Sequence, residues 1–466
     1  MDLYFFGHDC KYAAEQMLLT LFPQERPRYP AGEPAGDRVE LRYEDAGVLC
    51  RLVRAGKLWE ARAPVAPQPS KREQNRALQR AVKLAFYRAA LLSGVEKPVW
   101  GALTGVKPGK LMAQYLAANR TAEDFARDFD VSPARAALCR QTAAAAMAAQ
   151  ASLGPRDIAL YVGIPFCPTR CVYCSFISSA VGANAKLVEP YLQALLSEIR
   201  RRGAETAASG QRPVSLYFGG GTPTTLSAEQ LDMLCGALAE HFDFTALREY
   251  TVEAGRPDTI TAEKMAVLKK WGVTRVSVNP QTMSDRVLEA IGRRHTAREV
   301  TDALKTVRAA GAFEVNMDLI AGLPTDTLAD FQETVEKVLA LAPENVTVHT
   351  LAIKKGSWLS EHSGALPSGA AVGRMVDYAT AALRGAGYEP YYLYRQKYMS
   401  GGFENVGWAK PGTANLYNIL MMEELCPVLA LGAGGSTKLV GPDGSVRRQM
   451  NPKYPKEYIQ RQRELG

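Results

Sequence analysis

The stretch that decides the fold spans residues 158–176 and reads IALYVGIPFCPTRCVYCSF. Its first seven residues, IALYVGI, are apolar and rich in β-branched side chains, which is typical of a strand buried on both faces. Three cysteines follow this strand, Cys167, Cys171 and Cys174, and no fourth cysteine lies nearby. The chain has only 8 cysteines in 466 residues. Their close spacing here indicates a metal-binding loop at the end of a strand.

Five further strands are predicted downstream of this stretch, and helical patterns separate the strands. The strands are predicted at 214–219, 250–254, 275–279, 314–320 and 345–351. The helices are predicted at 186–208, 227–241, 261–271, 297–310 and 327–341. Strands that are buried on both faces and joined by helices form a parallel sheet. The α/β pattern therefore predicts an incomplete (β/α)6 barrel, with a doubly wound open sheet as the alternative.

The flanking residues predict two smaller α+β regions. Near the N terminus we expect a strand at 2–6, a helix near 11–22 and then a hairpin in VELRYEDAGVLCRLV. The proline-rich run 63–72 is typical of a linker, and a helix-rich, partly alanine-rich stretch follows it. The chain is therefore predicted to divide into an N-terminal accessory α+β domain, a barrel and a C-terminal α+β extension, at residues 1–152, 153–351 and 352–466.

Composition limits the class of protein. Hydrophobic residues make up 47% of the chain and charged residues 22%, as in globular proteins. No apolar run reaches about 18 residues and the start has no signal-peptide pattern, so we expect no membrane span. The remaining cysteines are scattered, which favours a reducing cytoplasmic location. The net charge of +8 is mild; it suits an anionic substrate and does not predict nucleic-acid binding.

Polar or glycine-rich features accompany the ends of the predicted strands. The run GGGTP at 219–223 follows the second strand, and Glu253 closes the third. Asn279 and Gln281 close the fourth strand, and Asp318 lies in the fifth. The carboxyl ends of parallel barrel strands meet on one face, where active sites lie. We therefore expect these residues and the cysteine loop to form one site.

Three thiolates without a fourth ligand favour an iron–sulfur cluster over zinc. Structural zinc takes four ligands, whereas a cubane held by three cysteines keeps one iron open to a small molecule. Incidental thiols or a redox Cys-x-x-Cys pair are the less favoured interpretations.

The motifs, in their order, resemble those of the radical S-adenosylmethionine (SAM) superfamily, and more narrowly the oxygen-independent coproporphyrinogen III oxidase family. The resemblance is carried by YVGIPFCPTRCVYCSF, YFGGGTPTTL, VEAGRPDTI, SVNPQT, IGRRHT and MDLIAGLPTDT. It extends to FENVGWAKPGTANLYN and LGAGG, and so covers about 158–435. VWGALTGVKPGKL resembles the longer coproporphyrinogen dehydrogenase branch, which has an extra N-terminal domain.

The resemblance implies a radical-SAM partial barrel with two cofactors. Cys167, Cys171 and Cys174 would hold a [4Fe–4S] cluster whose fourth iron binds SAM. An electron from the cluster would cleave SAM to methionine and a 5′-deoxyadenosyl radical, which is the cofactors' own chemistry. The residues that match the family's SAM contacts are Tyr161, Tyr173, Gly220, Gly221, Thr222, Glu253, Gln281, Arg293, Asp318 and Ala352.

The resemblance also implies a tetrapyrrole substrate that carries four propionates. Guanidinium groups bind carboxylates bidentately, so Arg294 and the YRQK run, with Arg395 and Lys397, are candidates to pair with them. The predicted catalytic set is Tyr161, Glu253, Arg294 and Arg395.

Two other polar residues are given ordinary structural interpretations. His349 is expected to be a structural histidine, and Lys354 to lie on a solvated face.

The function implied is the decarboxylation of coproporphyrinogen III to protoporphyrinogen IX, with a low-potential electron donor that the sequence does not identify. The best-known oxidases carry Cys-x-x-Cys-Gly-Cys, whereas Ser175 and Phe176 follow the third cysteine here, as in relatives that resemble haem carriers. A haem chaperone, with His295 as the candidate axial ligand, therefore stays as an alternative. A SAM-dependent enzyme of anaerobic haem breakdown is a third interpretation.

Overall fold

The computed structural model describes the chain except for residues 106, 176–178, 355, 363–365, 397–399, 442–443 and 466. The chain forms two compact units, Met1–Arg140 and Gln141–Gly466. The sequence boundaries at 152 and 351 stay predictions, and the units of the structure divide inside a helix instead. No helix among the described residues is long and apolar enough to cross a membrane.

The helices and strands have the following bounds. The strands are β1 Asp2–Phe6, β2 Arg38–Glu44, β3 Gly47–Arg54, β4 Lys57–Pro64, β5 Asp157–Ile164, β6 Phe166–Cys167, β7 Ser179–Ala180, β8 Arg212–Gly220, β9 Glu249–Glu253, β10 Arg275–Ser277, β11 Glu314–Ala321, β12 Asn345–Thr350, β13 Glu389–Arg395, β14 Glu404–Ala409, β15 Val428–Leu431, β16 Ser436–Val440 and β17 Val446–Met450. The α-helices are α1 Lys11–Leu21, α2 Lys71–Leu92, α3 Pro108–Ala117, α4 Ala122–Phe129, α5 Pro133–Ala151, α6 Val181–Asn184, α7 Val188–Ser209, α8 Ala228–His241, α9 Ala262–Lys270, α10 Asp285–Ala290, α11 Ala297–Ala310, α12 Leu328–Leu341, α13 Trp358–Glu361, α14 Gly369–Gly385, α15 Leu416–Glu423 and α16 Pro455–Leu465.

The first unit packs α1 and α2 on a four-stranded sheet in the order β1-β2-β3-β4. The predicted hairpin of β2 and β3 is confirmed, and β4 extends it. Both residues of each connecting turn, Asp45 with Ala46 and Ala55 with Gly56, have positive φ, as tight type I′ hairpin turns require. The linker predicted from 63 is therefore shorter, because β4 continues to Pro64.

The second unit is built on an 11-stranded sheet in the order β13-β14-β12-β11-β10-β9-β8-β5-β15-β16-β17. Strands β5 and β8 to β12 run parallel to one another and lie side by side in chain order. Helices α7, α8, α9, α11 and α12 lie between them in sequence. The six predicted strands and five predicted helices of the partial (β/α)6 barrel are therefore confirmed.

Residues beyond the barrel extend its sheet at both edges. β14 pairs antiparallel with β12, and β13 pairs with β14. At the other edge β15 pairs parallel with β5, and β16 and β17 continue antiparallel. The residues after 351 are therefore α+β, as expected, but their strands share the sheet of the barrel.

Helix α15 packs at the amino ends of two barrel strands. Glu249, the first residue of β9, accepts the backbone N–H groups of Leu416 at 2.7 Å and Tyr417 at 2.9 Å. Arg275, the first residue of β10, lies 3.7 Å from the same carboxylate and donates to the carbonyl of Thr413. A buried carboxylate thus satisfies the free N–H groups at the start of α15. These contacts hold the start of α15 at the amino ends of β9 and β10.

Candidate active site

A cavity of about 420 Å³ lies at the carboxyl ends of the barrel strands. It brings together every feature predicted at a strand end: Cys167, Cys171, Cys174, Gly220, Gly221, Thr222, Glu253, Asn279, Gln281 and Asp318. Tyr173, Arg293 and Ala352 line the same cavity. Parallel strands end on one face of a barrel, so residues far apart in sequence meet there.

The three cysteines of the loop differ from the others in the chain. Cys167, Cys171 and Cys174 are partly exposed, whereas the remaining cysteines are buried. Thr222 Oγ1 lies 3.6 Å from Cys167 Sγ. In the part of the chain that the structure describes, no three His, Cys, Asp or Glu side chains are grouped to hold one metal ion. Structural zinc takes four ligands, whereas three thiolates on one loop suit a cluster whose cysteines bind separate irons.

The glycine loop after β8 packs directly on the cysteine loop. Gly221 N donates to Ile164 O and Thr222 N donates to Phe166 O, both at 2.7 Å. A Cβ on Gly221 would lie 2.4 Å from Phe166 O, and Gly220 has a φ of +108°. Both positions therefore require glycine. The close packing keeps the backbone of this loop at the wall of the cavity.

Glu253 ends β9 and lines the cavity. Tyr217 donates its hydroxyl hydrogen to Glu253 Oε1 over 2.5 Å. The pKa of Glu253 is raised to about 7, chiefly by burial. The hydrogen bond from Tyr217 lowers the pKa, and the nearby charge of Asp318 raises it. Near neutral pH this carboxyl is therefore poised between its two protonation states and can accept a hydrogen bond from a ligand's amino group.

Asp318 keeps its charge in the same cavity. Asn316 Nδ2 donates to Asp318 Oδ1 at 2.8 Å, and His349 Nε2 lies 3.8 Å from that oxygen. Burial opposes ionisation, but His349, Asn316 and Thr347 outweigh it and hold the pKa of Asp318 below its ordinary value. His349 also lies 3.4 Å from the Tyr394 hydroxyl. His349, which we expected to be a structural histidine, thus contacts both of these residues, and it also lines the cavity.

Gln281 carries two unfavourable features, a positive φ and an unpaired side-chain oxygen, and a hydrogen-bond donor on a ligand would relieve the second. Its φ is +67°, which costs a non-glycine residue about 1–3 kcal/mol. Its backbone N–H donates to Asp318 O at 2.9 Å, which holds it in place. Its Oε1 atom is buried with no hydrogen-bond partner among the described residues, at a cost of about 1–3 kcal/mol. A buried polar atom without a partner calls for an explanation, and a ligand in the cavity would supply the missing donor.

Arg293 lines the cavity, whereas Tyr161 does not. Arg293 is buried beside Cys171 and Tyr173, and its Nη1 donates to Asn279 O at 2.5 Å. Tyr161 lies behind the glycine loop, where its ring packs 6.4 Å from the ring of Tyr217. Tyr161 is therefore not a wall residue of the cavity, although a Cβ on Gly220 would lie 3.4 Å from its hydroxyl.

The predicted arginine contacts are not brought into the cavity. Arg395 ends β13, where alternate side chains face opposite sides, so Tyr394 and Gln396 line the cavity instead. Arg395 is buried, donates to Gly402 O at 2.9 Å, and burial lowers its pKa to about 10. Arg294 is exposed in a neighbouring groove. Lys397 lies outside the described residues.

Several wall residues were missed from the sequence. Lys354 was expected on a solvated face, but it lines the cavity, where burial lowers its pKa and Cys174 opposes that effect. Strands β13 and β14 and helix α15 add Tyr392, Tyr394, Asn405, Asn418 and Met422. The alternation in EPYYLYR was the signal for the two tyrosines. Nothing local in the sequence indicates that α15 contributes to the wall of this cavity.

Comparisons with known proteins agree with this geometry. Residues 161–338 match the family described as the Radical SAM superfamily. The oxygen-independent coproporphyrinogen-III oxidase-like protein HemZ of Bacillus subtilis (strain 168) is 38% identical over 372 residues, 78% of this chain and 74% of HemZ. The heme chaperone HemW of Haemophilus influenzae is 28% identical over 65% of this chain and 76% of HemW.

Among solved structures, coproporphyrinogen III oxidase (HemN) from Escherichia coli, a Radical SAM enzyme, is similar with a TM-score of 0.55 and 25% identity. The match covers 69% of this chain and 72% of HemN. The order of the motifs, the fold and the extent of the match to HemZ all indicate the same family. The chain belongs to the radical SAM superfamily and, within it, to the oxygen-independent coproporphyrinogen-III oxidase-like family.

Proposed function

We propose that this chain oxidatively decarboxylates coproporphyrinogen III to protoporphyrinogen IX in oxygen-independent haem biosynthesis. The observation that carries the proposal is the single cavity onto which the three partly exposed cysteines, the glycine loop, Glu253 and Asp318 all open. The names of HemZ and HemN point to the same reaction.

The family brings a [4Fe–4S] cluster and SAM as cofactors, and the described residues fit both. The cysteine loop has three partly exposed thiols, and the backbone of the glycine loop lies at the wall of the cavity. Gln281 Oε1 has no hydrogen-bond partner among the described residues and can accept a hydrogen bond from a ligand. When bound, the two cofactors supply a 5′-deoxyadenosyl radical, which removes a hydrogen atom from unreactive carbon.

The side chains of the cavity have distinct roles in this proposal. Cys167, Cys171 and Cys174 hold the cluster. Glu253 accepts a hydrogen bond from the amino group of SAM, and Asp318, held ionised by His349, accepts from its ribose hydroxyls. The backbone of Gly220, Gly221 and Thr222, together with Tyr173, Gln281, Arg293 and Ala352, completes the SAM contacts.

The net reaction requires an electron acceptor and an electron donor besides the substrate. Each reacting propionate loses CO₂, one hydrogen atom and one electron, and becomes a vinyl group. The electron would have to pass to a one-electron acceptor, and the cofactors, once bound, would need a low-potential electron donor. Both are partners that a radical-SAM decarboxylase requires.

A haem chaperone is the second candidate function. HemW carries that name, and this chain covers 76% of it. His349 reaches the cavity and His295 lies in the adjoining groove, so an imidazole is at hand as an axial ligand to haem iron.

One anaerobic experiment separates the two functions. Reconstituted protein is incubated with SAM, a reductant and coproporphyrinogen III, and the tetrapyrroles are separated by mass. We expect loss of two carboxyl groups as CO₂ in the wild type and no loss in Cys171→Ala, which cannot hold the cluster. Cleavage of SAM with an unchanged porphyrinogen mass, together with tight stoichiometric haem binding, would favour the chaperone.

A further inference from the structure

The described wall of the cavity carries three Lys or Arg side chains, Arg256, Arg293 and Lys354. Two of them are engaged within the protein. Arg256 pairs with Asp258 at 3.1 Å, and Arg293 donates to Asn279 O at 2.5 Å. The half-buried Lys354 forms no side-chain hydrogen bond and no ion pair with any described residue. Its positive charge therefore has no fixed partner in the protein part of the cavity.

The backbone of Lys354 is fixed by a short turn after β12. Its carbonyl accepts hydrogen bonds from Ser357 N at 3.1 Å and from Ser357 Oγ at 2.9 Å. Ser357 is fully buried, and its own carbonyl accepts the hydroxyl of Ser360 at 2.7 Å. Serine hydroxyls commonly hold turns in this way. The Lys354 side chain therefore starts from a backbone whose position is set by hydrogen bonds.

The residues that follow Lys354 pack on the cysteine loop. Leu359 N donates to Val172 O at 3.1 Å, and Arg170 Nη2 donates to Gly356 O at 2.5 Å. Arg170 and Val172 both lie between the first and the last cysteine of the loop. Two hydrogen bonds therefore tie the wall that carries Lys354 to the loop that carries the three cysteines.

Cys174 is the loop residue that faces Lys354 electrostatically. Burial lowers the pKa of Lys354, and Cys174 raises it, as an anion near a cation does. Both side chains line the same cavity. Arg293 has the matching relation to Cys171, which raises the pKa of that arginine. The cysteine loop is thus flanked by one cation at Cys171 and by another at Cys174.

A cation in this position has a physical consequence for an iron–sulfur cluster. A cubane held by thiolates carries net negative charge, and that charge grows when the cluster accepts an electron. The reduction potential depends on the net charge and on the charges around the cluster. A nearby positive charge stabilises the more negative, reduced state, and it does so more strongly in a cavity than in bulk water.

We infer that Lys354 places a positive charge beside the cluster at Cys174 and thereby raises the reduction potential of that cluster. Lys354 acts through space and binds no iron. The inference requires the cluster and not a particular reaction, so it applies to a decarboxylase and to a haem chaperone alike. The competing role, in which the ammonium pairs with a carboxylate of bound SAM, is separated from it by the experiment.

The midpoint potential of the cluster tests this inference. Reconstituted holoprotein without SAM is titrated anaerobically with dithionite, which supplies one electron to each cluster, and the reduced cluster is followed by electron paramagnetic resonance. At the wild-type midpoint potential, the ratio of reduced to oxidised cluster should fall about tenfold in Lys354→Met. This corresponds to about 59 mV for a one-electron couple. Lys354→Arg keeps the charge and should restore the wild-type potential.

A matched control is Lys305→Met, because Lys305 is 73% exposed on α11, pairs with Asp302 and does not line the cavity. It should have the wild-type potential. Iron and sulfide are measured on every sample. If Lys354→Met takes up less iron than the wild type, Lys354→Gln replaces it, because glutamine also removes the charge and keeps a polar side chain.

An unchanged midpoint potential in the uncharged variant, at full iron content, would overturn the inference. So would an equal shift in Lys354→Arg, because the effect would then follow the shape of the side chain and not its charge. An unchanged potential together with a raised Kd for SAM would assign the ammonium to a ligand carboxylate instead. Decarboxylation by the wild type would leave the proposed function standing in all these cases. A shifted potential without any decarboxylation would contradict the proposed function alone.

Discussion

At the scale of single residues, Glu253 is a buried carboxyl in the wall of the cavity. Its pKa is raised from 4.5 to about 7, chiefly by burial. The pKa of Glu253 is higher in the folded state than in the unfolded state. The stability that Glu253 contributes is therefore complete below about pH 4.5 and is lost as the pH rises through about 7. Glu253→Gln removes the cost of burying an ionised carboxylate, because glutamine carries no charge. In protein without cofactors, the variant should melt a few degrees higher than wild type at pH 8 and show a much smaller gain at pH 5.

The same carboxyl predicts how SAM binding depends on pH. A hydrogen bond from the SAM amino group needs the ionised form, so the wild-type Kd should rise about tenfold per pH unit below about 7. Glu253→Gln should bind SAM more weakly and with a shallower pH dependence, while its iron content stays that of the wild type. Anaerobic equilibrium dialysis at several pH values measures this. A steep wild-type dependence that survives in the variant would show that another group controls it.

At the scale of helices and strands, local patterns predicted the parallel core and missed its surroundings. An apolar run such as IALYVGI by itself predicts a buried parallel strand, because a strand that is buried on both faces is apolar throughout. The pairing of β15 with β5 joins segments far apart in sequence, which no local pattern encodes. Arg395 was selected for its charge, although strand alternation gives the cavity position to Tyr394.

The buried Glu198 shows how such distant elements are held. It lies on α7 and accepts from Gly432 N at 2.7 Å, Asn451 Nδ2 at 3.1 Å and Tyr458 Oη at 2.6 Å. Glu198→Ala removes the acceptor of two buried donors, Gly432 N and the Tyr458 hydroxyl, so we expect a loss of about 2–4 kcal/mol of unfolding free energy, measured by denaturant titration.

Glu205 on the same helix provides the control for Glu198. It is half-exposed, and among the described residues it pairs only with Arg201 and Arg202 on α7 itself. Glu205→Ala should unfold at nearly the wild-type denaturant concentration, because exposed pairs contribute little. Equal losses for the two variants would argue against a structural role for the Glu198 contacts.

At the scale of the whole molecule, the order of motifs predicted one composite site, and the fold brings those residues to one cavity. The barrel strands supply the carboxylates and loops, while β13, β14 and α15 supply walls that the sequence did not indicate. The adjoining groove was also not predicted, because its walls come from the cysteine loop and from 292–296, more than one barrel unit apart. A surface depression depends on how loops pack, not on any single motif.

Transfer of hydrogen from the substrate to the SAM-derived fragment tests the central claim most directly. Coproporphyrinogen III carrying deuterium at the β-carbons of its propionates is incubated anaerobically with the reconstituted protein, SAM and a reductant. The mass of the released 5′-deoxyadenosine is then measured. We predict that deuterium appears in 5′-deoxyadenosine in step with the formation of vinyl groups. Release of unlabelled 5′-deoxyadenosine, with all deuterium retained in the porphyrinogen, would contradict the claim.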